Sequence, residues 1–527
     1  MIFLKRKRHF IVGVIFCYSS SFIIAQSIDS SKLIVHTKQG KVEGILEKDV
    51  FIWKGIRYAQ APIGNLRFSA PQPPENWEGI KFTKEFGAIA PQQKSKRWKK
   101  HTDEDCLFLN IWTPNTNTTK RPVMFWIHGG GFYTGASSHP LYNGAGLAQK
   151  GDVVIVTINY RLGPLGFLFF DDIKGENKGF DNNLGIRDQI AALKWVKENI
   201  ENFGGDPENI TIFGQSAGAT SVLTMASMPS TKGLYQKIIV QSPALDANWT
   251  REEATMVTKN YLKMFGIAES NLSDLYKISA DSLVVVADRM IEHPTFEVPG
   301  IATFAPTIDG KFIETTPDDS VSLEQIRKTP LLIGTNRHEM NIFMKIPLMP
   351  FSASEKEVHK VFASTDCSED EFRVTSFYKK YPRKQSVLNI CTDRVFRMPS
   401  IAYADEHSKT YNTYMYRFDW NSTALNLSGY KAFHALDLFF VFNTFDTKHG
   451  KKVMFLANKR KVAKISNTMQ EAWVNFSKTG NPNNSGSDKW KPYDSKYRGT
   501  MVFDKKTRLV YDPDRKHRLA WGGLELQ

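Results

Sequence analysis

The chain has 527 residues, of which 41% are hydrophobic and 23% are charged. This balance is that of a folded globular protein, and it excludes a disordered or low-complexity chain. The formal net charge of +15 would suit nucleic acid or an anionic surface, but the basic residues are mostly scattered along the chain. We therefore expect a solvated basic surface and no nucleic-acid partner.

The amino terminus has the layout of a secretory signal peptide. Four basic residues at 5–8 precede an apolar stretch that ends at Ala25. A membrane anchor is the alternative, but residues 10–25 include a tyrosine and three serines, which is short and polar for a spanning helix. We predict a signal peptide over 1–25 and a single domain over 26–527. The mature protein is then secreted, extracellular or periplasmic, without stable membrane insertion.

The cysteines do not define the fold. Four of them are too few for a disulfide-built domain, and their spacing does not suit a zinc site. Removal of the signal peptide leaves Cys106, Cys367 and Cys391. In an oxidising compartment Cys367 and Cys391 can pair, although their separation neither requires nor forbids it, and Cys106 is then expected to be a buried thiol.

Short apolar runs alternate with helical patterns along most of the chain. Several runs are apolar on both faces, as in strands buried in a parallel sheet. The predicted strands are PVMFWI (122–127), VVIVTINY (153–160), ITIFG (210–214), KIIVQS (237–242), PLLIG (330–334) and TYMYRF (413–418). Apolar residues three and four apart predict a helix over 184–203. The alternation indicates an α/β fold with a mostly parallel, helix-covered sheet, and the regions 250–300 and 340–400 look like helical insertions.

The sequence HGGGF (128–132) directly follows the first of these strands. Consecutive glycines let the backbone approach a ligand closely and point N–H groups at it. A flexible loop and a phosphate cradle are the alternatives, and the Lys-Ser/Thr pair of a nucleotide-binding loop is absent. We therefore predict that Gly130 and Gly131 contribute donors to an oxyanion hole.

The sequence GQSAG (214–218) lies between a predicted strand and a predicted helix. A serine in an ordinary turn is the alternative, but this context is the one that a nucleophile elbow requires. Gly214 and Gly218 leave room beside the strained serine, and the helix amino terminus favours negative charge. We predict Ser216 as the nucleophile and the N–H of Ala217 as a further oxyanion donor.

A serine nucleophile needs a base and an orienting acid, which follow it in the order acid, then histidine. The candidate bases after Ser216 are His293, His338, His359, His407, His434, His449 and His517. His434 lies on a loop after a late strand and is our prediction, although it can instead cap the apolar helix that follows. Glu339 follows the strand at 330–334 and is the predicted acid, whereas we expect Asp309 to form an Asp-Gly turn.

With these motifs in place, the sequence resembles the type-B carboxylesterases, the group that includes cholinesterases and bacterial para-nitrobenzyl esterases. The resemblance extends from TKQGKVEG (37–44) to TMVFDKKTRLVYDP (500–513). It is carried by GIRYAQAPIGNLRF (55–68), EDCLFLNIWTP (104–114), NYRLGPLGFL (159–168), WVNFSKTGNPN (473–483) and FHALDLFFVF (433–442), the last being closest to the bacterial members.

The resemblance implies an α/β-hydrolase fold with helical insertions at the rim of a gorge, and a Ser216–Glu339–His434 triad. It also implies ion pairs between Arg57 and Glu104 and between Arg161 and Asp188, and it places Ser242 near the acid. The chain departs from the family at Gln215, where glutamate is usual, and at Met340 and Pro243, where glycine is common.

We therefore expect a serine carboxylesterase that acts on small-molecule esters without a metal or cofactor. A thioesterase, lactonase or amidase of the same fold is one alternative, and a non-catalytic cholinesterase-like binding protein is another. Gln215 lacks the negative charge that would help to hold a cationic substrate. The basic run KSKRWKK (94–100) disfavours cationic choline esters because its positive charge would repel them, unless it is only an exposed loop. We therefore expect neutral or anionic esters.

Overall fold

The computed structural model describes residues 30–93, 101–117, 119–174, 179–295, 302–320, 328–345, 352–362, 368–484, 486 and 489–522. The predicted signal peptide, the basic run at 94–100 and Cys367 lie outside the described residues. Cys106 and Cys391 are buried thiols, and burial raises the pKa of both. None of the helices in the described part of the chain is long and apolar enough to cross a membrane.

Fourteen strands form two sheets within the described residues. In chain order they are β1 (Ile34–His36), β2 (Lys41–Glu43), β3 (Ile45–Glu47), β4 (Val50–Arg57), β5 (Ile80–Phe82), β6 (Phe108–Thr113), β7 (Arg121–Ile127), β8 (Val154–Ile158), β9 (Gly205–Gln215), β10 (Lys237–Gln241), β11 (Leu331–Asn336), β12 (Thr413–Phe418), β13 (Gly499–Phe503) and β14 (Arg508–Tyr511).

The main sheet contains eleven of these described strands in the order β14-β13-β12-β11-β10-β9-β7-β8-β6-β4-β3. Its centre, from β13 to β8, is parallel, and the pairs toward both edges are antiparallel. The six predicted strands are β7 to β12, all in the parallel part. Because the carboxyl ends of parallel strands meet at one edge, the segments after β7, β9, β11 and β12 converge there.

Helices cover both faces of this sheet, and together with it they form the α/β-hydrolase fold. They are α1 (Ala145–Gly151), α2 (Pro164–Phe167), α3 (Leu184–Asn199), α4 (Ala217–Ser227), α5 (Arg251–Phe265), α6 (Ala280–Glu292), α7 (Pro317–Ser320), α8 (Glu355–Phe362), α9 (Ser368–Ser376), α10 (Lys384–Thr392), α11 (Met398–His407), α12 (Thr423–Leu427), α13 (Leu438–Val441), α14 (Lys448–Val453), α15 (Lys459–Thr479) and α16 (Arg515–Trp521). A π-helix over Asp393–Arg397 joins α10 to α11.

The helix predicted over 184–203 is α3 followed by a short 3-10 turn. Its apolar residues Ile186, Leu193 and Val196 are buried, which is the reason for their helical spacing. The two regions expected to be insertions are helical in their described parts. They contribute α5 and α6 in the first case and α8 to α11 in the second.

One of the two ion pairs implied by the resemblance is wrong. Arg57 binds Asp105 through two hydrogen bonds of 2.5 and 2.6 Å. The neighbouring Glu104 instead binds Arg67, also through two hydrogen bonds, of 2.6 and 2.7 Å. The third guanidinium nitrogen of Arg67 donates to backbone carbonyls including that of Leu275. Arg67 therefore joins Glu104 to the segment after α5, and Arg57 is left with the adjacent aspartate.

The second implied pair is present and buried. The side chains of Arg161 and Asp188 are 2% and 0% exposed, and two hydrogen bonds of 2.6 and 2.8 Å join them. The backbone N–H of Arg161 also donates to Asp188, and its remaining nitrogen donates to the carbonyls of Arg67 and Ser69. The pair therefore fixes the segment after β8 to α3 and to the turn near Arg67.

We expect Asp188→Asn to lower the free energy of unfolding by about 3–5 kcal/mol, because it leaves the guanidinium of Arg161 buried without a counter-charge. Denaturant unfolding measures the loss. The matched control is Glu208→Gln, which removes an acid that is 74% exposed from its pair with Lys197. That change should cost less than about 1 kcal/mol. Equal losses in the two variants would contradict the prediction.

Candidate active site

Ser216 occupies the sharp turn between β9 and α4. Its φ and ψ of 58° and −130° are strained for a residue with a side chain. The backbone is held on both sides, since the N–H of Ser216 donates to the carbonyl of Gln241 at 2.9 Å and its own carbonyl accepts from Ala219 and Thr220. Sequence analysis predicted this strand–turn–helix context for Ser216.

The flanking glycines are required by close backbone contacts. A Cβ at Gly214 would lie 2.4 Å from backbone atoms of Gly218. A Cβ at Gly218 would lie 2.1 Å from the carbonyl oxygen of Ile127, at the end of β7. Any larger residue at either position would push the turn away from the sheet. The pattern around Ser216 is therefore a packing requirement of the turn itself.

The glycine loop after β7 packs directly against Ser216. A Cβ at Gly129 would lie 2.9 Å from the Cβ of Ser216, and one at Gly130 would lie 2.0 Å from the carbonyl of Thr134. Gly130 and Gly131 have φ values of 122° and 62°, which favour glycine. Beside them, Ala217 begins α4, so its N–H has no acceptor within the helix. Gly130, Gly131 and Ala217 thus belong to the glycine loop and the helix that meet at the serine turn, and their role as oxyanion donors stays a prediction.

Glu339 and His434 lie beside this turn and bind each other. Glu339 begins the 3-10 turn that follows β11, and His434 lies between α12 and α13. The Nδ1 of His434 lies 2.6 Å from Oε2 of Glu339. The other carboxylate oxygen of Glu339 accepts from the hydroxyl of Ser242 at 2.6 Å and from the N–H of Asn336 at 2.5 Å. Ser242 therefore lies beside the acid, as the resemblance implied.

The opposite nitrogen of His434 faces the serine turn. Its Nε2 lies 2.8 Å from Nε2 of Gln215, the residue that precedes Ser216. An amide nitrogen can only donate, so the Nε2 atom of His434 carries the lone pair. The Nδ1 atom then carries the proton, which suits the carboxylate of Glu339. Both contacts select the same neutral tautomer.

The other candidates from the sequence have structural surroundings. Asp309 accepts from the N–H groups of three residues that follow it, as expected of a turn. His407 is buried and bonds the hydroxyl of Thr413 at 2.7 Å. Burial, together with the nearby charges of Lys431, Arg337 and Arg417, lowers the pKa of His338 to about 3.

Two aromatic rings that sequence analysis missed contact the imidazole of His434. The ring of Phe396 lies 4.8 Å from it and that of Phe343 lies 5.2 Å from it, between centroids. Phe396 is on the π-helix, and Phe343 is in the turn after Glu339. Neither phenylalanine belongs to a motif, so the sequence carried no signal for them. They provide an apolar wall at the base.

A second buried carboxylate was also missed. Asp437 accepts from Gln241 at 2.7 Å, from the hydroxyl of Tyr416 at 2.9 Å and from the side chain of Asn336 at 3.2 Å. Burial, and then the charge of Glu339, raise the pKa of Asp437. Asn336 bonds both carboxylates and so links Asp437 to the acid. The position of Asp437, three residues after His434, was the signal in the sequence that could have identified it.

The site contains no grouping of metal ligands among the described residues. The chemistry that the arrangement offers is that of an activated serine. Ser216 lies at a strained, partly exposed turn, and Nε2 of His434 contacts the residue before it. Such a turn with an imidazole nearby is the setting that serine activation requires.

Comparisons with known proteins agree with this chemistry. The carboxylesterase family matches residues 31–521. The para-nitrobenzyl esterase of Bacillus subtilis is 39% identical over 499 residues, covering 92% of this chain and 97% of that protein. The phenmedipham hydrolase of Pseudarthrobacter oxydans is 31% identical over 471 residues, covering 87% and 92%.

A solved structure of a para-nitrobenzyl esterase superposes with a TM-score of 0.82 at 38% identity, covering 93% of this chain and 99% of that one. The chain therefore belongs to the carboxylesterase family and is a hydrolase of carboxylic esters.

Proposed function

We propose that this protein is a secreted serine carboxylesterase that hydrolyses small neutral or anionic esters through an acyl-enzyme. Ser216 is the nucleophile, His434 the general base and Glu339 the orienting acid. The observation that carries the proposal is the series of contacts from Glu339 through the His434 imidazole to the residue before Ser216. It combines a fixed tautomer with a base at the serine turn, which is what serine activation needs.

In the acylation step, Ser216 Oγ attacks the ester carbonyl and its proton passes to Nε2 of His434. The imidazolium that forms is stabilised by the carboxylate of Glu339, 2.6 Å from Nδ1. The Glu339 carboxylate keeps its orientation because Ser242 and Asn336 bind its other oxygen. The apolar rings of Phe343 and Phe396 restrict water at the imidazole, which strengthens the interaction between the two charges.

The negative charge that develops on the carbonyl oxygen is stabilised by the N–H groups of Gly130, Gly131 and Ala217. A preorganised donor of this kind typically contributes on the order of 3 kcal/mol to the transition state. Ala217 also begins α4, whose amino-terminal partial positive charge acts in the same direction. His434 then gives its proton to the leaving alcohol, and water repeats the sequence on the acyl-enzyme. The scheme requires no metal and no organic cofactor.

Gln215 supports the preference for neutral or anionic esters, because a carboxamide supplies no negative charge beside the nucleophile. Para-nitrobenzyl and other uncharged esters are therefore suitable first substrates. A matched pair tests the preference: acetylcholine and 3,3-dimethylbutyl acetate have the same shape and differ in charge. We expect kcat/KM for the neutral ester to exceed that for the cation by at least tenfold. Equal or faster hydrolysis of acetylcholine would refute this part of the proposal.

Ester hydrolysis also separates the proposal from its alternatives. A non-catalytic binding protein would neither cleave para-nitrophenyl acetate nor take an organophosphate label at Ser216. A thioesterase, lactonase or amidase would cleave its own class faster than the matched oxygen ester. Measuring kcat/KM for an acetate ester, its thioester and its anilide on one preparation distinguishes these outcomes.

The secreted location rests on residues 1–25, whose four basic residues and short apolar stretch match a cleavable signal peptide. Cleavage after Ala25 would leave one carboxylesterase domain over 26–527. We expect the mature protein to begin at Gln26. Amino-terminal sequencing of the exported protein checks this, and a retained segment before Ala25 would contradict it.

A further inference from the structure

The carboxamide of Gln215 is enclosed between the base and the glycine loop. The side chain is only 3% exposed, although it neighbours the nucleophile. Its nitrogen lies 2.8 Å from Nε2 of His434. Its oxygen faces the glycine loop, since a Cβ at Gly129 would lie 3.1 Å from it. Gln215 therefore fills the space between the imidazole and the loop that carries the oxyanion donors.

The hydrogen bond from the Gln215 nitrogen occupies Nε2 of His434, the atom that catalysis needs. A carboxamide N–H donates, so it binds the lone pair on Nε2 of His434. That lone pair is also the acceptor for the Ser216 proton in the proposed acylation step. The amide of Gln215 and the hydroxyl of Ser216 are on consecutive residues and require the same acceptor. The hydrogen bond from Gln215 to Nε2 must weaken before Ser216 can donate its proton to that atom.

We propose that Gln215 is a positioning residue that caps Nε2 of His434 in the free enzyme and competes with Ser216 for it. This inference rests on the proposed role of His434 as the base. The cap, together with Glu339, holds the imidazole at both nitrogens. It also restrains the serine until a bound ester displaces the amide, so that the free enzyme reacts slowly with small electrophiles.

Two substitutions of Gln215 separate the effects of side-chain shape, hydrogen-bond donation and charge. A carboxylate, as in Gln215→Glu, cannot donate to neutral Nε2 and would attract the imidazolium instead. A thioether, as in Gln215→Met, has a similar length and neither donates nor carries charge. Methionine therefore removes the cap with little change in volume, and glutamate removes it while adding a charge.

Gln215 contacts Nε2 of His434, whereas the charged side chains on the elements around the imidazole bind other atoms. Glu339 binds Nδ1, and Asp437 lies behind Glu339 with its own donors. The remaining charged residues on the turn with Phe343 and on the π-helix bind partners elsewhere: Lys345 binds Ser428, Asp393 binds Tyr378 and His517, Arg394 binds Asp246, and Arg397 binds Asp514. A charge introduced at 215 would therefore act on the imidazole directly.

The test is the second-order rate at which diethyl para-nitrophenyl phosphate labels Ser216 in the full-length protein. In this reaction the Oγ–P bond forms, para-nitrophenolate leaves and His434 takes the serine proton. We expect Gln215→Met to raise the rate about two- to tenfold, the equivalent of one hydrogen bond that no longer has to be broken. A merely structural role would lower the rate. An unchanged or lower rate in a variant with the wild-type unfolding midpoint overturns the proposal.

The glutamate variant supplies a second readout. In Gln215→Glu the midpoint of the acid limb of the labelling rate should move to higher pH by about one unit, because the nearby carboxylate favours the imidazolium. Above that midpoint the rate should also exceed the wild-type rate, since the cap is absent. An acid limb that does not move, or a lower rate above it, would count against the assigned contact.

Nuclear magnetic resonance separates failure of this inference from failure of the proposed function. Ser216→Ala protein with ¹⁵N-labelled histidine lacks the nucleophile, yet the Nε2 resonance of His434 still reports the hydrogen bond. We expect that resonance to shift when Gln215→Met is added. If the wild type cleaves no ester but the resonance shifts, the cap stands and the esterase assignment fails. If the resonance does not shift, the cap is refuted.

Discussion

Ser216→Ala is expected to lower kcat for ester hydrolysis by a factor on the order of 10⁶, because it removes the atom that attacks the carbonyl. The backbone of the turn can keep its shape with alanine, since Ser216 is held by its N–H and carbonyl rather than by its hydroxyl. A residual rate above that in water is expected from the donors at Gly130, Gly131 and Ala217. Steady-state hydrolysis of para-nitrophenyl acetate measures both.

The matched control is Ser221→Ala, in the same helix α4. Ser221 is buried, whereas Ser216 is partly exposed, and the hydroxyl of Ser221 accepts from Gln189 at 3.1 Å. Its loss should affect unfolding more than turnover. Retention of activity within tenfold in Ser216→Ala protein that has been freed of wild-type enzyme would remove Ser216 from the mechanism. Comparable losses in both variants would point to misfolding instead.

The sequence predicted the central strands well, and the reason is local. Several of the runs that became β7 to β12 are apolar on both faces, as expected of strands buried in a parallel sheet. Once the strands are parallel, their carboxyl ends share an edge, and the residues that follow them converge there. Ser216, Glu339 and His434 follow β9, β11 and β12, so chain order favoured them as candidates, and the family resemblance identified the same three residues.

Backbone contacts explain why glycines were reliable markers. Gly214 and Gly218 meet other backbone atoms at distances that exclude a Cβ, and Gly130 has a positive φ. These requirements act within a few residues of each motif, or between the motif and the adjacent strand end. They are therefore visible as short sequence patterns.

The features that the sequence did not predict depend on contacts across the chain. Glu104 and Asp105 are adjacent, and which of them binds Arg57 is decided by Arg67, which takes Glu104. Phe396, whose ring contacts His434, lies on the π-helix between α10 and α11. No local pattern reveals a choice between neighbouring acids or the direction of a ring on an insertion.

Gln215 shows a further limit of reasoning from the sequence. Its position beside the nucleophile suggested an effect on substrate charge, which remains part of the proposed function. The structure adds that its amide contacts His434, the residue 219 positions away along the chain. The departure from the family's usual glutamate therefore concerns the base as well as the substrate.

Glu339→Gln is expected to lower kcat by a factor on the order of 10⁴ through the wrong imidazole tautomer. Two donors, the Asn336 N–H and the Ser242 hydroxyl, face the same oxygen of Glu339. A glutamine must keep its carbonyl oxygen there, because the Asn336 N–H cannot accept. Its NH₂ group then faces Nδ1 of His434 and donates to it.

That donation requires the lone pair on Nδ1, so the imidazole proton moves to Nε2 and the hydrogen bond from Gln215 is lost. The nitrogen at the serine turn can then no longer accept the Ser216 proton. Glu339→Asp is the matched variant, because it keeps an acceptor toward Nδ1 at the cost of one methylene in reach. Steady-state kcat for both variants on para-nitrophenyl acetate decides the matter. We expect the aspartate variant to be the more active of the two. A glutamine variant within tenfold of the wild type, or one more active than the aspartate variant, would show that Glu339 does not set the tautomer, since glutamine keeps the size of glutamate and reverses only the hydrogen bond to Nδ1.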